Sequence, residues 1–250
     1  MSLSIGRLAL GAEAKRRWRV LHFNVWSRGV CRLLGGRTNI VGTPPAAPFF
    51  LVSNHLSYLD ILVLAQYLPC RFVAKSDVAR WPVVGYLTRI ADTLYINRTR
   101  RADIPRANAA IHNALLSGDS VALFPEGTSS NSDWALPIKA PLLQVAADNG
   151  IDVHTAAIRY DTHPSDIPAQ ASICYFGDDV FGQHIWRLFH LRGFTTTLRF
   201  CEQPVSGSDR KTLAANVEDS IHSLQALTNE KSESLSPDTF NNRSASHSSL

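Results

Sequence analysis

The chain is poor in cysteine. Four are scattered over 250 residues (Cys31, Cys70, Cys174, Cys201), with no C-x-x-C pair and no Cys/His cluster. That pattern argues against a disulfide scaffold or a structural zinc site and points to a reducing, cytoplasm-facing compartment. Charge is also sparse, at 18 % against 45 % hydrophobic residues, with mean hydropathy near zero. Those values do not fit overall disorder, a collagen-like repeat or a polytopic membrane protein. No uncharged apolar run approaches the ~18 to 20 residues of a spanning helix. There is no charged start followed by a clean apolar stretch and a cleavage site, so a signal peptide is not expected. No internal repeat is present. The length suits one large domain or two small ones and is ample for a hydrophobic core.

Acidic residues are nearly absent from one region. Residues 1–43 hold eight Lys/Arg against Glu13 alone, a local charge of +7; the whole chain carries +4, which leaves −3 for the other 207 residues. On a helical wheel Arg17, Asn24, Arg28 and Arg32 share one side, opposite a broad aromatic and aliphatic face. The segment 1–43 reads either as a basic amphipathic helix lying in an anionic membrane surface or as a surface helix packed on the body. Nucleic-acid binding is not expected, because the basic run is confined to one end and no recognition motif accompanies it.

From Pro44 short apolar runs alternate with helical spacing. Residues 49–53, 70–75, 93–97, 120–124, 153–158, 171–176 and 195–201 read as strands. Residues 59–67, 82–90, 104–116, 139–148 and 213–227 read as helices. The alternation predicts an α/β fold: a mostly parallel central sheet flanked by helices, preceded by an N-terminal amphipathic helical segment. The divisions are the basic segment 1–43, an α/β domain over 44–227 and a Ser/Asn-rich, disordered tail over 228–250.

Three strand ends carry chemistry. Asn54-His55-Leu56-Ser57-Tyr58-Leu59-Asp60 follows the first of these strands, where open α/β folds place working groups. Residues five apart in a helix lie about 140° around the axis. His55 and Asp60 therefore meet only if His55 stays in the loop and Asp60 sits in the first helical turn. The competing reading is that Asp60 merely caps the helix, since Ser57-x-x-Asp60 resembles a capping box. Phe124-Pro125-Glu126-Gly127-Thr128 ends a second strand: Pro125 stops the ladder, Gly127 permits a tight turn, and Glu126 and Thr128 offer an acceptor and a donor. Tyr95-Ile96-Asn97-Arg98 ends a third, delivering an arginine whose planar fork suits a phosphate or carboxylate. A solvated basic loop, with Arg100, Arg101 and Arg106, is the alternative there.

In this order and spacing the three segments resemble the motifs of the PlsC-like glycerolipid and lysophospholipid acyltransferase family. The resemblance covers about residues 45–205 and includes Lys75-Ser76-Asp77 and Trp81-Pro82-Val83-Val84-Gly85 between the first two motifs. It departs at Ser129, where the family often has Arg, at His154-Thr155-Ala156-Ala157, where a Pro-Val step is common, and at Asp92 and Tyr95, where Gly and Phe are usual. The Glu-Gly-Thr-Ser form with Asn131 and Leu136-Pro137-Ile138-Lys139 is similar to the bacterial branch that includes lyso-ornithine lipid acyltransferases.

The resemblance implies transfer of a fatty acyl group from acyl-CoA or acyl carrier protein to the hydroxyl of a lysolipid. His55 would be the general base and Asp60 its partner. Arg98, Glu126, Gly127 and Thr128 would hold the acceptor. Neither a metal nor a cofactor is implied, and the membrane would be met at the cytoplasmic face of a bacterial inner membrane through the N-terminal segment. Two readings from other classes compete. One is a lipid hydrolase, because Gly118-Asp119-Ser120 with Asp219 and His222 superficially resembles GDSL-type esterases, although no G-x-S-x-G elbow exists. The other is a non-catalytic lipid-binding protein, which would not account for His, Asp and Glu on strand ends.

Overall fold

Continuous apolar runs form the middle of the sheet. In the computed structural model, which describes residues 11–81, 84–97, 102–130 and 134–233, Phe50–Ser53 (β2) and Ser120–Leu123 (β5) are parallel neighbours with every residue buried. Strands buried on both faces have no polar alternation, which is why both read as plain apolar runs. Around them stand Gly36–Val41 (β1), Cys70–Lys75 (β3), Leu94–Ile96 (β4), Val153–Thr162 (β6) and Phe194–Phe200 (β7). Among the described residues the order is β1-β7-β6-β2-β5-β3-β4. Every pair is parallel except β6 with β7. The ends of β2, β5 and β4 therefore lie on one rim.

Period-two alternation sends neighbouring residues to opposite faces. Leu51, Phe72, Ala122, Phe124, Ile158 and Leu198 face one core layer. It is covered by Ala12–Leu33 (α1), Leu59–Ala65 (α2), Ala169–Ser172 (α6) and Phe181–Phe189 (α7). Phe50, Val52, Val73, Val121, Leu123 and Val153 face the other. Its covers are Asp103–Leu116 (α4), Gln144–Asn149 (α5) and Arg210–Glu233 (α8). Helix α4 buries Ala107, Ile111 and Ala114, and α8 buries Leu213, Val217 and Ile221: one stripe of each helix faces the sheet. Val84–Ile90 (α3) and two 3-10 turns, Ser76–Arg80 and Ala140–Leu143, complete the elements.

Four expectations need correction. The strand expected over 171–176 is absent: Pro168 starts the single turn α6, and the chain then runs irregularly while burying Ile173 and Cys174. Ala169, Gln170 and Ala171 are good helix formers, and local propensity prevails where no strand partner is available. The basic segment 1–43 is not a separate appendage, because β1 within it pairs with β7 over six residues. Its sequence Gly-Arg-Thr-Asn-Ile-Val is polar because it is an edge strand with much of its length exposed. The tail does not begin at 228: α8 continues to Glu233, and Thr228 is buried, donating to Leu224 O and accepting from Arg199 Nε at 2.9 Å. Residues 234–250 lie outside the described residues.

The fourth concerns α1, which is partly inverted. Asn24 and Arg28 turn inward, donating to the carbonyls of Ala65 and Gln66 at the C-terminus of α2. There they meet the negative end of that helix. Leu21, Val25 and Leu33 point outward, 60–73 % exposed. Deeper in, Arg19 is 7 % exposed and bridges Asp92 (2.9 Å) and Asp119 (2.5 Å), while Arg71 reaches Asp119 at 3.4 Å and the Asp92 carbonyl at 2.8 Å. Asp92 stands two residues before β4 and Asp119 immediately before β5, so this cluster rivets α1 to the N-terminal edge of the strands. No described helix is long and apolar enough to cross a membrane.

Candidate active site

The opposite edge is built from loops that follow strands. After Ser53 the β2 ladder is extended by a side chain: Asn54 donates to Ile158 O (2.9 Å) and accepts from Ile158 N (2.7 Å) on β6. That amide clamp fixes where the chain leaves the sheet, and His55 is the next residue. It stays in the loop, and Asp60 falls in the first turn of α2. The geometry that allows the two to meet is realised.

Asp60 is fully buried. Its Oδ2 accepts from His55 Nδ1 (2.8 Å), Leu56 N (2.7 Å) and Ser57 N (3.0 Å), and its Oδ1 accepts from Tyr160 Oη (2.7 Å). Capping and histidine-holding, alternatives in the sequence, are thus done by one carboxylate. A carboxylate only accepts, so Nδ1 carries the imidazole proton and Nε2 is left as the ring's acceptor. The ring stacks on Phe124 at 4.2 Å, and the His55 side chain is 21 % exposed. Tyr160 is buried, and burial together with the Asp60 charge holds its hydroxyl well above the usual phenol range. It remains a donor.

The loop after β5 holds His55 by its backbone. Glu126 Oε1 accepts from His55 N (2.8 Å), and Ser130 N donates to His55 O (3.0 Å). Glu126 is 3 % exposed and its Oε2 is buried without a hydrogen-bond partner. Burial pushes its carboxyl up to about 7, opposed by the N–H groups of His55 and Leu136 and reinforced by the Asp60 charge. Gly127 turns the chain at φ +83°, a conformation costly for any residue with a Cβ. Thr128 beyond it is exposed. Ser129 Oγ donates to Tyr175 O, and Tyr175 N to Leu56 O at 2.9 Å, closing a ring of loops round His55.

The structure therefore brings His55, Asp60, Glu126 and Gly127 together, with Thr128 beside them at the surface. Glu126 faces the His55 amide; it was expected at the acceptor. Arg98 lies outside the described residues, although β4 aims at the same rim. Tyr160 was missed. The alternation that puts Ala156, Ile158 and Tyr160 in one core layer is visible in sequence, but only the pairing of β6 beside β2 places that layer against Asp60.

The esterase-like residues do not assemble. Asp119 serves the Arg19 cluster, Ser120 Oγ accepts from Phe49 N, and His222 lies against Ala135 O and the Trp134 ring. His184 is buried and satisfied between Tyr58 Oη (2.9 Å) and Ile173 O (3.1 Å). Among the described residues no group of three or more His, Cys, Asp or Glu could hold a metal ion. Burial raises the thiols of Cys31 and Cys70 to about 11 and about 12, which leaves them poor nucleophiles.

Comparison with known proteins agrees with this layout. A family model described as acyltransferase matches residues 37–159. The 1-acyl-sn-glycerol-3-phosphate acyltransferase of Neisseria gonorrhoeae is 34 % identical over 191 residues, 74 % of each chain. The lyso-ornithine lipid O-acyltransferase of Brucella abortus is 32 % identical over 230 residues, 85 % of this chain and 84 % of the relative. The crystal structure of the acyltransferase PlsC from Thermotoga maritima superimposes with a TM-score of 0.66 at 19 % identity, over 90 % of this chain and 87 % of that one, which attests the fold. Extensive matches to both kinds of enzyme, on a fold whose strand ends converge on His55, mean that this chain belongs to the acyltransferase family, among the lysophospholipid and 1-acylglycerol-3-phosphate acyltransferases of lipid biosynthesis.

Proposed function

We propose that this enzyme transfers a fatty acyl group from acyl-CoA or acyl carrier protein to the free hydroxyl of a lysophosphatidate-type lysolipid, with His55 as general base. One observation carries the reading: the fully buried Asp60 occupies His55 Nδ1 at 2.8 Å, leaving Nε2 to take a proton. The acceptor hydroxyl hydrogen-bonds to Nε2 and loses its proton there as its oxygen attacks the thioester carbonyl. Base catalysis of this kind contributes roughly 10²–10⁴-fold. Asp60 holds the tautomer and stabilises the imidazolium. Collapse of the tetrahedral intermediate breaks the C–S bond, and the imidazolium proton passes to the departing thiolate. Backbone N–H groups at the rim stabilise the oxyanion. Thr128 and Arg98 bind the acceptor headgroup, while Glu126 and Gly127 fix the loop that presents His55. The chain acts as a peripheral or monotopic protein at the cytoplasmic face of the inner membrane, seated through α1.

A lyso-ornithine lipid acceptor is the second reading. Ser129, turned to Tyr175 O, stands where a phosphate-binding Arg is common, and the lyso-ornithine relative matches over 230 residues. The test is thiol release from palmitoyl-CoA with lysophosphatidate, lyso-ornithine lipid or no acceptor, for wild type and His55→Ala. Release that needs one acceptor and is lost in the variant is expected. Release without acceptor would shift the reading to a thioesterase.

A further inference from the structure

Helix α7 is strongly two-sided. Its inner face buries His184 and Leu188 in the same core layer as the end of α1. Its outer face leaves Trp186 68 % and Phe189 54 % exposed, with Val180, at the helix start, 56 % exposed. A shared ring cluster links this helix to the His55 loop. Tyr58, between His55 and Asp60 in the chain, bonds to His184 and packs on Phe181 with ring centres 5.3 Å apart; Phe181 in turn meets the exposed Trp81 at 6.2 Å.

We propose that the outer face of α7 is a second membrane seat, inserting Trp186 and Phe189 at the boundary between headgroups and acyl chains beside the mouth of the site. The inference goes beyond the seating of α1 and rests on the lysolipid reading only in that the acceptor must come from a bilayer. Three observations select a lipid surface over an acidic carrier protein or a second copy of the chain. The patch consists of a large amphipathic ring and its apolar neighbours, the residues that settle at membrane interfaces. Its cations are already engaged, Arg187 by Asp179 at 2.5 Å and Arg192 by Asp166 at 3.8 Å, so it offers little charge to an acidic protein. It also covers the same sheet face as α1, whose Leu21, Val25 and Leu33 are exposed beside Arg17 and Arg32, so a single bilayer could serve both.

The test uses the full chain and vesicles of phosphatidylethanolamine and phosphatidylglycerol. The double variant Trp186→Ser/Phe189→Ser should bind at least tenfold more weakly, while Trp134→Ser, which alters an exposed ring on the other sheet face, should bind as wild type. Thiol release with a short-chain, monomeric lysolipid should be the same in both variants. Brominated lipids should quench wild-type tryptophan fluorescence, and Trp186→Phe should lose the share of that quenching due to Trp186 while still binding, leaving the share from Trp26 on α1. This second measurement holds if the serine variant folds poorly. Vesicle affinity within twofold of wild type overturns the proposal. So does loss of self-association in its place, or an equal loss on Trp134→Ser. If wild type binds vesicles through Trp186 but releases no thiol with any acceptor, the membrane seat stands and the lysolipid reading falls.

Discussion

Two regions of this protein bury a carboxylate, at opposite ends of the strands. At the N-terminal edge Asp119 is met by the guanidinium groups of Arg19 and Arg71. At the C-terminal edge Asp60 is met by two backbone N–H groups, a phenol and one imidazole. Guanidinium stays charged at any pH a protein meets, so the first arrangement is a fixed ionic rivet. The second surrounds its charge with neutral donors and leaves one partner able to gain and lose a proton. The same side chain thus makes a fixed attachment in one place and, in the proposed mechanism, supports proton transfer in the other, according to the chemistry of its partners.

The contrast can be broken from either end. The largest effect is expected from His55→Ala: thiol release should fall roughly 10²–10⁴-fold, with the urea unfolding midpoint near that of wild type. Retained activity would remove His55 from the chemistry. Arg19→Ala should do the reverse. Left to Arg71 alone at 3.4 Å, the buried Asp119 should cost about 2–3 kcal/mol of stability, the scale of a lost hydrogen bond to a charged group, read by urea denaturation, while kcat of the folded fraction changes little.

Glu126 sharpens the comparison, being a third buried acid without a full set of partners. Its folded value of about 7 lies above the ordinary 4.5, so the folded state keeps a proton that the unfolded chain has lost between those pH values. Stability should therefore decline as pH rises from about 4.5 to 7 and level off above, by roughly 3 kcal/mol in all. Glu126→Gln, measured by urea denaturation at pH 5 and pH 8, should lack that decline. The smallest effect expected is at Tyr160→Phe. Removing the hydroxyl that steadies Asp60 should lower kcat about tenfold, the scale of one hydrogen bond to a charged group, with KM unchanged. A matching rise in KM would mean that Tyr160 contacts substrate.

The strand ends were legible because the strands before them are short continuous apolar runs, and chemistry-bearing residues interrupt such runs conspicuously. His55, Asp60, Glu126 and Gly127 were singled out in that way, and the fold places them together. What was not legible depends on partners distant in the chain. Gly36–Val41 falls within the expected helical segment 1–43, and shows as a strand only once Phe194–Phe200 is beside it. Ile173 and Cys174 have strand-like composition, but nothing pairs with them. Arg28 reads as part of the basic side of the helix, and only the carbonyl of Gln66 turns it inward, while Arg19 is drawn in by acids at 92 and 119. Tyr160 could be assigned to a core layer, but not to a carboxylate 100 residues earlier.

That last separation has a consequence for synthesis. Arg19 meets Asp119 and Asp60 meets Tyr160, and each pair spans 100 residues. Closing such loops is entropically costly before the intervening sheet exists to reward it. A growing chain therefore exposes helix α1 long before the residues that rivet it are made. Its proposed reactive histidine stays without a fully braced partner until translation has passed Tyr160.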